Sequence, residues 1–227
     1  MARDRGCSLA GERFAGLVAH ELRTPLATQR SLLELALADP DADAATWREI
    51  GGEVLEACRR QERLLEACLA LARGTSRPEV SQRIDLSAVA AAALVAQDPC
   101  SLETVLALEP ARMIGDRSLV ERLVANLVSN AIQHNRSEGR IEVATGVSSG
   151  RALLSIVNTG PVIAPVEVPR LFEPFRRLRP QVGRASDGIG LGLAIVRAIA
   201  DAHHATISAE ANPGGGLDVE VAFAATG

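Results

Sequence analysis

Residues 20–26 read HELRTPL, that is His20, Glu21, Leu22, Arg23, Thr24, Pro25 and Leu26. Residues four apart on a helix are neighbours, so His20 and Thr24 address one reacting group from a shared face. Neutral imidazole is a good nucleophile near pH 7, and an adjacent carboxylate can hold one ring N–H while the other nitrogen attacks. Glu21 is the obvious carboxylate. Pro25 has no N–H for the Glu21 carbonyl and its ring crowds that carbonyl, so the helix is expected to bend or loosen just after the histidine.

Working outward, helical patterning extends from Arg13 to Leu37, and after the turn-like Asp39-Pro40-Asp41 a second helix is expected from about Ala44 to Arg73. It carries Trp47, Ile50, Val54, Ala57, Gln61, Leu64, Cys68 and Leu71 at alternating steps of three and four, an a/d seam. A parallel stripe stands at Leu55, Leu65, Leu69 and Ala72. Two apolar stripes exceed what a lone hairpin can bury, so a four-helix bundle made by two chains is expected, with a hairpin packed on its own second domain as the alternative.

A polar stretch from Gly74 to Gln82 then leads into mingled strands and helices. Strands are expected at Ile84–Leu86, Leu102–Leu108, Arg112–Ile114, Ile141–Val147, Ala152–Val157, Ala205–Glu210 and Leu217–Phe223. Helices are expected up to about Gln97, from Arg117 to about His134 with Asp116 as N-cap, and after Gly190. The fold class is α+β: a helical hairpin, then an α/β sandwich with helices on one face of a mixed sheet. The division reads as a tail over 1–12, a hairpin over 13–73, a hinge over 74–82 and a second domain over 83–227.

Within that domain Asn126, Asn130 and His134 recur at every fourth position, a polar stripe on a helix otherwise built from Leu123, Val124, Leu127, Val128, Ala131 and Ile132. Asparagine is a poor helix former and costly to bury unpaired, so the stripe needs partners. A Mg2+ ion with its phosphates would supply them, since it takes hard oxygen ligands and keeps several waters; bonds to a neighbouring loop are the structural alternative. Residues 187–193 read DGIGLGL, with Gly188, Gly190 and Gly192 ahead of an apolar helix, where close backbone approach and a helix N-terminus suit an anion.

Composition narrows the function classes. The chain has 227 residues, 47% of them apolar, and a formal charge of -4, without a basic block, which argues against nucleic acid as the partner. All 24 basic residues are arginine, so any side-chain cation on a phosphate must be a guanidinium. The longest apolar run, Ala88–Ala96, is short of a membrane span and the first residues are too polar for a signal peptide, so no direct membrane contact and a cytoplasmic location are expected. Cys7, Cys58, Cys68 and Cys100 lack metal or disulfide spacing.

The three motifs, in this order, resemble the catalytic core of a sensor histidine kinase of a two-component system, over most of the chain from Arg13 to Phe223. HELRTPL is similar to the family's phosphoacceptor motif, NLVSN (126–130) to its N box, FEPF (172–175) to its F box and DGIGLGL to its second glycine box. The resemblance implies that His20 accepts the phosphoryl group of ATP, that Glu21 serves as acid or base, and that Thr24 positions water during dephosphorylation of the partner. It implies Asn130 as the Mg2+ ligand, Asn126 as a phosphate or metal-water contact, and Gly160, Gly188, Gly190 and Gly192 as nucleotide-binding glycines. One of Arg176, Arg177, Arg179 and Arg184 in the lid would reach the terminal phosphates. Two departures stand out: the first glycine box has Asn158 where an Asp is usual and Val162 where a second glycine is usual, and Gln133 and His134 stand in place of a basic residue and an aromatic, with His134 packing on the adenine. The implied partners are a response-regulator receiver domain and a second copy of the chain, in the cytoplasm or as the cytoplasmic part of a membrane-bound sensor. A degenerate kinase acting as a phosphatase or scaffold, and a gyrase-type ATPase clamp, are the rival readings.

Overall fold

The computed structural model describes residues 2–40, 42–74, 81–99, 102–177 and 190–226; side chains are described except in 2–15 and 70–74 and at 20, 60, 63 and 66. Two compact units divide the chain, Met1–Leu69 and Ala70–Gly227.

The first unit is built on helix α1 (Ala2–Ala38) and most of helix α2 (Ala44–Gly74). The backbone of residues 2–12, set apart as a tail by the sequence reading, is continuous with α1, and the helix passes through Pro25 to Ala38. Asp43 caps α2, its Oδ1 accepting from the amides of Ala45 (3.0 Å) and Thr46 (2.8 Å). Ala36, Ala57 and Leu64 are buried, and Gln29 is buried among them. The Gln29 amide donates towards the Val54 carbonyl, Cys58 Sγ and Gln61 Oε1, each at 3.4 Å, a polar layer that fixes how the two helices align. Leu55, Leu65 and Leu69, the second stripe of the sequence, remain 58%, 48% and 56% exposed.

The second unit carries strands β1 (Gln82–Asp85), β2 (Glu103–Leu108), β3 (Arg112–Gly115), β4 (Arg140–Ser148), β5 (Arg151–Asn158), β6 (Thr206–Ala211) and β7 (Leu217–Ala224). Its helices are α3 (Leu86–Gln97), α4 (Arg117–Gln133) and α5 (Gly192–Ala202). A five-stranded sheet has the order β2-β4-β5-β7-β6, with β2 parallel to β4 and the other pairs antiparallel; β1 and β3 form an antiparallel pair. Alternation does the sorting: Ile141 and Val143, Leu154 and Ile156, and Val219, Val221 and Phe223 are buried on one face. Against them pack Leu86, Val89 and Leu94 of α3, Val120, Leu123, Val124, Leu127 and Val128 of α4, and Ile195, Val196 and Ile199 of α5. The mixed sheet with helices on one face is the architecture expected from the sequence. A 3-10 segment, Pro165–Phe172, was not expected; its two prolines erase the local periodicity.

The capping of α4 matters most for the site. Asp116 Oδ1 accepts from the amides of Ser118 (2.9 Å) and Leu119 (3.2 Å). Asp116→Ala is expected to lower domain stability by about 1 kcal/mol, the usual worth of an N-cap, as read by urea denaturation.

Candidate nucleotide site

Helix α4 presents its polar stripe between two glycine-bearing segments. At one side, a Cβ on Gly192, the first residue of α5, would lie 3.4 Å from Asn126 Oδ1, so the stripe and the start of α5 are in van der Waals contact. The Asn126 amide nitrogen donates to the Arg122 carbonyl at 2.7 Å, which leaves its oxygen on the Gly192 side. Asn130 is half-buried and its side chain makes no hydrogen bond to any described residue. At the other side, a Cβ on Gly160 would come within 2.5 Å of the His134 carbonyl and 3.2 Å of Asn158 Nδ2. Asn126, Asn130, His134, Asn158, Gly160 and Gly192 therefore belong to one neighbourhood.

The ends of the expected lid are also held together. The Phe175 amide donates to the Gly190 carbonyl at 2.8 Å, and Gly190, at φ +76°, lies so close to the Phe175–Arg176 backbone that a Cβ would be 2.9 Å from the Arg176 carbonyl oxygen. Phe172 is buried with the Arg197 guanidinium 4.9 Å from its ring centroid. Gly188, Arg179 and Arg184 lie outside the described residues. So does the His20 side chain; its backbone is within α1, where Glu21 and Thr24 are exposed.

The departures from the family's pattern have local explanations. Asn158 is buried, its Nδ2 donates to the Thr159 carbonyl at 2.7 Å, and its own carbonyl accepts from Asn212 Nδ2 at 3.2 Å. Gly216, at φ +104°, leaves no room for a Cβ against that same carbonyl. Val162 is 77% exposed and its φ is not positive, so the backbone there makes no demand for glycine. A hollow of about 310 Å³ lined by Arg136, Arg140, Glu142, Asn212 and Gly214 touches this neighbourhood through Asn158.

Asn135, which the sequence reading passed over, is the knot of the site. Buried just past α4, it donates to the carbonyls of Ala131 and Arg140, both at 3.1 Å, and its Oδ1 accepts from the Arg136 amide (3.0 Å) and Thr159 Oγ1 (2.6 Å). Helix α4, strand β4 and the segment after β5 meet there, which fixes Gly160 against His134. The sequence signal was a short polar residue next to the stripe.

Desolvation lowers the pKa of His134 from its ordinary 6.5, and the positive charge of Arg177 lowers it further. The neutral ring is thus the native form at pH 7. Between that lowered pKa and 6.5 the unfolded chain binds more protons than the folded one, so this group's contribution to stability is full above about pH 6.5 and declines as pH falls through that window. In Arg177→Ala the His134 pKa, followed by NMR, is expected to rise but to stay below 6.5, because desolvation is the larger cause.

Residues 11–77 match the family description "His Kinase A (phospho-acceptor) domain", and residues 115–226 match "Histidine kinase-, DNA gyrase B-, and HSP90-like ATPase". The chain belongs to the sensor histidine kinases of two-component systems. It is 42% identical over 217 residues to "Sensor protein CutS" of Streptomyces coelicolor, covering 93% of this chain and 52% of that protein. It is 32% identical over 219 residues to "Sensor-like histidine kinase SenX3" of Mycobacterium tuberculosis, covering 93% and 53%. Among solved structures it is similar to the Acinetobacter baumannii histidine kinase AdeS, with a TM-score of 0.69 at 25% identity over 92% of this chain and 98% of that one. The chain spans about half the length of the curated relatives it matches. Among the described residues no helix is long and apolar enough to cross a membrane.

Proposed function

We propose that this chain is an ATP-dependent protein-histidine kinase core that phosphorylates itself on His20 and passes the phosphoryl group to an aspartate of a response regulator. The observation that carries the reading is the convergence on α4: the amide oxygen of Asn126 against Gly192, the side chain of Asn130, which bonds to no described residue, and the His134 carbonyl against Gly160. A half-buried amide with no partner among the described residues, one turn from a second amide oxygen, fits a hard cation such as Mg2+, with Asn130 as ligand and Asn126 on a phosphate or a metal-bound water. When bound, Mg2+ supplies positive charge that offsets the charge of the transferring phosphoryl group.

The residues of the chain do the rest. Gly160, Gly190 and Gly192 let backbone approach the nucleotide; Gly188 stands two positions before Gly190 in the sequence. The side-chain oxygen of Asn158 accepts from the adenine amine, a neutral bond in place of a charge-assisted one, and His134 packs on the base as a neutral ring. A nitrogen of His20 attacks the γ-phosphorus, a P–N bond forms, the P–O bond to ADP breaks, and Glu21 takes the ring proton. In the second step a receiver aspartate attacks the phosphoramidate, and His20 leaves reprotonated. Thr24, exposed four residues beyond, positions the water for dephosphorylating the regulator.

The exposed Leu55, Leu65 and Leu69 stripe supports a homodimer through the hairpin, and the chain is read as acting in the cytoplasm, alone or as the cytoplasmic part of a membrane-bound sensor. A gyrase-type clamp leaves the HELRTPL helix without a task. The test is calorimetric titration with ATP: saturable binding that requires Mg2+ is expected, and its absence in folded protein would transfer the reading to a degenerate, nucleotide-independent scaffold.

A further inference from the structure

The helices that carry the two halves of the nucleotide site pack against each other, and one contact marks each end of that packing. At the start of α5 the contact is Gly192 against Asn126. The eleven residues of α5 rise about 16 Å and the α4 stretch from Asp116 to Asn126 rises about 15 Å, so the end of α5 comes level with the start of α4. There His203, the C-cap of α5, bridges the two. Its Nδ1 lies 2.8 Å from the Ile199 carbonyl, and its Nε2 lies 3.1 Å from the amide nitrogen of Asp116, the residue that caps α4.

The partners fix the protonation pattern. A carbonyl only accepts, so Nδ1 carries the proton; a backbone amide only donates, so Nε2 is bare. Space is fixed as well. A Cβ on Gly115 would fall 2.6 Å from His203 Cδ2 and 2.8 Å from Nε2, and a ring held by two hydrogen bonds has no freedom to yield. Phe223 of β7 closes the remaining side edge-on, with ring centroids 6.2 Å apart and planes at 83°.

We infer that His203 is a positioning residue for the nucleotide site: a neutral Nδ1–H imidazole clasps the end of α5 to the N-cap of α4 and so sets where the Gly190–Gly192 loop stands relative to Asn126 and Asn130. The imidazole touches neither nucleotide nor metal. Without the imidazole the Asp116 amide loses its acceptor at a half-buried position, and the end of α5, still packed in the core through Ile195, Val196 and Ile199, loses the hydrogen bond that sets its register against the start of α4. The inference rests on the nucleotide reading above for its consequence, though not for its geometry.

Two variants separate the halves of the clasp. Glutamine places an amide oxygen near where Nε2 stands, and asparagine places an amide nitrogen near Nδ1 only. His203→Gln is expected to keep the slow hydrogen exchange of the Asp116 amide and a KM for Mg-ATP within about twofold of wild type, whereas His203→Asn exposes that amide to exchange and raises KM at least about fivefold with kcat little changed. In the unliganded wild-type protein, 15N NMR of the ring is expected to show Nδ1 protonated and Nε2 bare at neutral pH. An Nε2–H tautomer, or a His203→Asn chain with wild-type exchange and KM, would overturn the clasp. Equal losses in folded His203→Gln and His203→Asn would also overturn it, since the acceptor alone would then not matter. A wild-type chain that binds no Mg-ATP would instead sink the nucleotide reading, and the tautomer and Asp116 exchange would still decide the clasp.

Discussion

His20→Gln is expected to abolish incorporation of phosphate from ATP while leaving Mg-ATP affinity unchanged. Glutamine keeps the length and polarity of the side chain and tolerates a helix, but its amide nitrogen has no lone pair available for attack on phosphorus. His20 belongs to the unit Met1–Leu69, whereas the Asn126-Asn130-His134 stripe and its glycine contacts belong to Ala70–Gly227. The substitution thus removes the acceptor and leaves the nucleotide site with all its residues. Filter-bound label from γ-labelled ATP, beside a calorimetric titration of the same variant, checks both halves. Residual label at the wild-type level would place the acceptor elsewhere in the chain.

Asn130→Ala is expected to cut the autophosphorylation rate by about 100-fold or more, the scale on which loss of one group aimed at developing phosphoryl charge is felt. The cost to the fold is small by comparison. Asn130 sits half-buried on α4, its side chain bonds to no described residue, and alanine is the better helix former, so the helix itself is expected to gain slightly. A variant as stable as wild type that has lost its Mg2+ dependence separates ligand from scaffold. Rates measured across a Mg2+ titration, with thermal denaturation of both proteins, would show it; an unchanged Mg2+ dependence would remove Asn130 from the metal.

Much of this was legible in the chain. Period-two runs such as Ile141-Glu142-Val143 and Leu154-Ser155-Ile156 announced sheet residues with one buried face, and Asp116 announced the start of α4, because both signals are local. The i, i+4 spacing of Asn126, Asn130 and His134 announced a stripe for the same reason. What the sequence withheld depends on residues that meet only when folded. Asn135 reaches Thr159 across 24 positions, and His203 reaches Asp116 across 87. Neither contact leaves a periodic trace. The crowding at Gly216 and Gly115 is of the same kind, since a glycine in the chain does not say which distant carbonyl or ring requires it.

The most direct test is to incubate the wild-type chain with γ-labelled Mg-ATP and then expose the labelled protein to acid and to alkali. A phosphoramidate on His20 predicts label that is lost in acid and survives alkali. Label that survives acid, or no label on folded protein that binds Mg-ATP, would contradict a histidine kinase.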